Sequence, residues 1–234
     1  NIYFGLKEKR FGIGRFFFIL LGLTIILVLR NFLIIIILPA ILSWLLASRW
    51  PKFSLAVFCG VYSLFIILFF TAKYINPRLD FPQAVVNKQQ EFLKLTGGSY
   101  VPIRELEPTI ISFIKNIPQA LTLSTVRPYP SDVKHLLSLA AAAEINFLLL
   151  IFLLFLFYRT NGLKQRSFIY FCIFFSFSVL ITIGYTVNFL GAIVRYRSII
   201  IPFLVVPMMA QINWRKLDWL FSKNIKQKNN VINS

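Results

Sequence analysis

One histidine and two cysteines in 234 residues leave no room for a multi-histidine metal site within this chain. No phosphate-cradling glycine loop, zinc-ligand spacing or nucleophile elbow is present, which disfavours the common soluble enzyme classes. There is no internal repeat and no low-complexity tract. The chain opens at Asn1 without Met, and no charged region, short apolar core and small-residue cleavage site follow in order, so it reads as a fragment with upstream spans missing. Charged residues make up only 14%. Cys59 and Cys172 both fall inside apolar runs, where they read as small packing residues without a disulfide role.

What fills the chain is apolar: 58% hydrophobic residues and 26 Phe, with a mean hydropathy of +0.74. A soluble domain carries about half or less, so a bilayer is the expected solvent and length is best counted in spans of about 20 residues. The net charge of +17 would first suggest nucleic acid. Its distribution argues against that, because the bases sit in short groups between apolar runs and form no continuous basic face.

The sequence predicts an all-α integral membrane protein of about six transmembrane helices. Residues 1–72 hold spans one to three, 73–135 a long external loop with amphipathic helices, 136–213 spans four to six, and 214–234 a basic cytoplasmic tail. Arg30 and Asn31 are expected to turn spans one and two into a tight hairpin, since one helix over 16–47 would measure about 48 Å against a hydrocarbon core of about 30 Å. Span six is expected from about Val194 to Ile212, and Pro39 should kink span two. Basic groups before span one, between spans two and three, after span four and after span six all fall on one side, which places both termini in the cytoplasm. In the loop, a helix over Pro82–Leu95 with Asp80 as cap and Gly97-Gly98 as stop is predicted, and a second from Pro108, where Ile110, Ile114, Ile117 and Leu121 recur at helical spacing. The second could lie flat on the outer leaflet. Phe-rich faces of spans one and five read as lipid-facing.

Polar groups near the outer face are the candidates for chemistry. Arg195 and Arg197 straddle Tyr196 at the mouth of a proline-broken apolar segment, where an arginine snorkels, pairs with an acid, or holds phosphate through its planar donors. Glu144 is the one acid inside a span and needs a partner, with Arg195, Arg197 or Arg30 as options for an ion pair and a substrate or proton site as the alternative. Arg127-Pro-Tyr-Pro-Ser-Asp132 enters span four, where Ser131 or Asp132 would cap the helix. Glu105 and Glu107 resemble the acid pairs that hold a divalent ion in some lipid-linked sugar transferases; no residue is assigned as a metal ligand and no cofactor is expected. His135 reads as an interfacial residue.

The element Arg195-Tyr-Arg197 followed by Pro202-Phe203 resembles the last-helix pattern of bacterial polytopic glycosyltransferases of the GT-C type, including family 39 relatives that use polyprenyl-phosphate sugars. Arg127-Pro-Tyr-Pro ahead of an acid-bearing helix is similar to envelope proteins encoded among polysaccharide genes. The likeness implies a chain in the bacterial cytoplasmic membrane that handles a polyprenyl-phosphate-linked saccharide at the outer face. Arg195 and Arg197 would bind the phosphate, Arg127 would assist, Tyr196 and Asp132 would support, and Glu144 would orient an arginine. The family's catalytic acid lies in its first external loop, and nothing here matches it, so no catalytic residue carries over. A transporter or flippase of a lipid-linked saccharide, marked by Glu144, Pro39, Pro202 and Pro207, and a non-catalytic membrane scaffold are the other readings.

Overall fold

The computed structural model describes residues 13–29, 31–129, 136–160, 166–214 and 216. Nine α-helices run through them: α1 Ile13–Leu29, α2 Asn31–Arg49, α3 Ser54–Ile75, α4 Phe81–Leu93, α5 Ile110–Thr125, α6 Leu136–Tyr158, α7 Arg166–Thr186, α8 Leu190–Arg197 and α9 Ile201–Gln211. Among the described residues there is no strand, and the protein is an all-α membrane protein.

Continuous apolar sequence makes four helices long enough to cross a bilayer, namely α2, α3, α6 and α7. A fifth span results if α8 and α9 count as one, although they meet at an angle of 54°. The single sixth span expected over 194–212 is therefore corrected to two helices that begin at Leu190. Ile201 and Pro202 open α9, where proline's fixed φ and missing N–H suit a helix start, so the proline that marks the segment also restarts it. Helix α1 has 17 residues and measures about 25 Å, short of the hydrocarbon core by itself. Asn31, expected in a two-residue turn with Arg30, is the first residue of α2. Arg30 lies outside the described residues, as do Ser131, Asp132, His135 and the basic tail beyond Lys216.

Helix α7 is the axis of the bundle. Half of its span is buried, against 11% for α3, and it packs on α2, α3, α4, α5, α8 and α9. Small residues permit the close approach: Ala40, Ser43 and Ala47 of α2, all fully buried, recur on one helical face against Cys172, Val179 and Ile183 of α7. The Ser43 hydroxyl donates to the Pro39 carbonyl over 2.7 Å inside α2, which runs from Asn31 to Arg49 as one helix. The lipid-facing expectation for the phenylalanines holds on α1, where Phe16, Phe17 and Phe18 are exposed. It fails for Phe171 and Phe175 of α7, which are buried and contact the rings of Trp44 and Phe203 at 5.0 Å each. Aromatic side chains thus fill the seam between α2, α7 and α9, where their large area gains most from burial.

One end of the bundle is closed by main-chain bonds between Asn213 N and Tyr158 O and between Thr160 N and Gln211 O. The other end carries the segment 76–129. There Asp80 accepts from Gln83 N to cap α4, and Thr109 accepts from Ser112 N to cap α5, as side chains of this type do at a helix start. The first cap agrees with expectation, and the second shifts the start of the helix from Pro108 to Ile110. Gln89, 2% exposed on the inner face of α4, ties three pieces together. Its amide donates to the carbonyls of Arg104 and Tyr185, and its oxygen accepts from Leu106 N at 2.7 Å.

Candidate functional site

The final turn of α8 places Arg195 and Arg197 two positions apart, about 200° around the axis at 3.6 residues per turn, so they cannot share a face. Arg195 is exposed and Arg197 is buried, at 3% exposure. The two arginines expected to close on one ligand as a pair therefore point to different surroundings. Tyr196, half-buried between them, meets Phe32 of α2 edge to face with ring centroids 6.1 Å apart.

Arg197 is held from three elements. Its guanidinium donates to Glu144 Oε1 of α6 at 3.2 Å, to the carbonyl of Arg127 at 2.9 Å and to the carbonyl of Ser124, at the end of α5, at 3.4 Å. The Ser124 carbonyl is available because the last four of any helix have no intrahelical donor, and Arg127 lies past the end of α5. Among the options open to Glu144 in the sequence, the described residues provide Arg197, and the acid is itself one-third exposed. Removing one partner of such a pair costs about 3 to 5 kcal/mol, because it strands a buried charge. Arg197 Nε is buried and has no acceptor among the described residues.

Arg127 contributes its carbonyl to this cluster, while its guanidinium lies over the Tyr129 ring at 5.2 Å from the centroid. The main-chain contact with Arg197 is one that no sequence pattern announces. Asp132 lies outside the described residues. Glu105 and Glu107 are both exposed, and among the described residues no group of three or more His, Cys, Asp or Glu could hold a metal ion.

Sequence reasoning also missed the residues that seat α5. A Cβ at Gly184 of α7 would collide with the main chain of Ala120, so α5 rests directly on α7 at that point. The Tyr185 hydroxyl donates to the Phe113 carbonyl at 2.8 Å. Gln89 was recognisable as a polar residue on the same stripe as buried Pro82 and Val86. Gly184 gave no such signal, since a glycine within an apolar span has many uses. Comparison with protein-family models, with curated proteins and with solved structures gave no match.

Proposed function

We propose that this protein handles a polyprenyl-phosphate-linked saccharide at the outer face of the bacterial cytoplasmic membrane, as part of a membrane glycosyltransferase or a related envelope-polysaccharide protein. The observation that carries the reading is Arg197: a buried guanidinium at the break between two apolar helices, fixed by an acid and two carbonyls, with its Nε–H without an acceptor among the described residues. Fixing the plane of a guanidinium in advance suits a tetrahedral phosphate, which takes up its donors in pairs. Glu144 offsets most of the charge of Arg197, so the attraction for an anionic head group comes mainly from exposed Arg195. Arg197 then supplies direction. Bases also outnumber acids in the loop over 73–135, as suits an anionic partner. The role assigned to this chain is holding the lipid phosphate, and no catalytic group is assigned.

The bend supports a second reading as a transporter of the same lipid, since broken helices and an ionisable group within a span recur at transport sites. Binding of undecaprenyl phosphate to the detergent-solubilised protein distinguishes the two. Replacing exposed Arg195 by Ala should weaken binding about tenfold, the effect of about 1.4 kcal/mol from one charge-assisted contact. Arg197→Lys, which keeps the charge and loses the planar donors, should weaken it further in protein that melts as the parent does. Equal binding by all three proteins would sink the phosphate site. Normal binding by Glu144→Gln together with lost lipid movement across proteoliposomes would favour the transporter.

A further inference from the structure

Helix α5 presents three faces. Phe113, Asn116, Ala120, Leu123 and Ser124 are buried on α7 and its neighbours. At 100° per residue the rest divides around them. Ile110, Ile114 and Leu121 fall within about 40° of one another on one flank, Ser112, Lys115, Gln119 and Thr122 occupy the opposite flank, and Ile111, 66% exposed, lies between the two. Ile110 and Ile114 are 53% and 60% exposed, the degree found for Leu64, Ile66 and Ile67 on the outward face of the spanning helix α3.

Two observations identify what covers the isoleucine flank. The buried edge beside it, carrying Phe113 and Ile117, packs on Phe69 and Phe70 of α3 and on Ile181 of α7. Phe113 meets the rings of Phe69 and Phe70 at 5.7 and 5.5 Å. Those phenylalanines lie five or six residues before the end of α3 at Ile75, about 8 Å below its end at 1.5 Å per residue, within the depth of a spanning helix. The flank is therefore continuous with the lipid-facing surface of the bundle. On the other side Lys115 is exposed, and a lysine at this boundary extends its ammonium to lipid phosphate while its stem stays apolar.

We infer that α5 is an interfacial helix sunk into one leaflet, with Ile110, Ile114 and Leu121 among lipid acyl chains and Lys115, Gln119 and Thr122 toward head groups and water. The bilayer thereby becomes a further contact of a helix whose last turn also supplies a carbonyl to Arg197.

The test places a nitroxide at one position at a time by substituting cysteine for Ile110, Ile114, Gln119 or Thr122 in the full chain carrying Cys59→Ala. The protein is reconstituted in vesicles of phosphatidylethanolamine and phosphatidylglycerol, and collision rates with oxygen and with a neutral nickel chelate are measured. The oxygen-to-nickel ratio at 110 and 114 should exceed that at 119 and 122 several-fold. Nickel-dominated collisions at all four would put the helix in water and overturn the inference. Oxygen-dominated collisions at all four would also overturn it, by immersing the polar flank. All four positions lie off the buried face, so the labels leave the packing intact.

Discussion

Gly184 shows how one missing side chain sets the position of a helix. With hydrogen in place of a methyl group, α7 lets the main chain of Ala120 come into direct contact, and α5 settles there. Alanine is the better helix former by about 1 kcal/mol, so helix propensity alone would make Gly184→Ala stabilising. The collision involves backbone, which cannot rotate away, and overpacking of this kind costs about 1 to 3 kcal/mol or more. Gly184→Ala should therefore lower the melting temperature in detergent, whereas Gly60→Ala, which has open space around it, should leave it unchanged or raise it slightly. A rise for both would disprove the close approach. The sequence could not reveal this, because the reason for Gly184 lies in residue 120 and not in its neighbours along the chain. Glu144 differs in that an acid within a span demands a partner, and an arginine from the last apolar segment was among the few options.

Helix starts were readable for an equally physical reason. Asp80 offers an oxygen three residues ahead of an amide that would otherwise lack a partner, and the expected cap forms; Thr109, not singled out from the sequence, does the same for α5. The bend at Ser198–Ile200 was hidden, since the apolar residues run through it unbroken and Pro202 is as much at home opening a helix as kinking one. Long-range ties were hidden as well. Segment 94–109 has no helix, and its attachment rests on Gln89 together with the bonds from Val101 N to Asn188 O and from Leu190 N to Ser99 O. Gln89→Leu keeps much of the volume but leaves two carbonyls and the Leu106 amide unmatched, at about 1 to 3 kcal/mol for each group that stays buried. Faster hydrogen exchange at the Leu106 amide, with exchange in the middle of α7 unchanged, is the expected result. Unchanged exchange at Leu106 would mean that the segment is held by other means.

The bundle as a whole is built around α7, with α2 and α9 against it through aromatic side chains and α3 turned largely outward. That arrangement separates the two cysteines: Cys59 on α3 is exposed, and Cys172 on α7 is buried at 1% exposure. A membrane-permeant maleimide should modify Cys59 faster than Cys172 in the folded, detergent-solubilised protein and both thiols after denaturation. Equal rates for the two thiols before denaturation would show that α7 is not enclosed. Most polar side chains of the spans make no demand on other helices. Ser43, Thr71, Asn146, Ser178, Thr182 and Thr186 each donate to a carbonyl four residues back in their own helix, so the segments that carry them can enter lipid one at a time. Glu144 is different, because its partner is 53 residues further along the chain. At a synthesis rate of about 5 to 20 residues per second, that distance corresponds to about 3 to 10 seconds. During biogenesis the ion pair between Glu144 and Arg197 therefore cannot form until α8 has been made, so α6 gains this contact only seconds after its own synthesis.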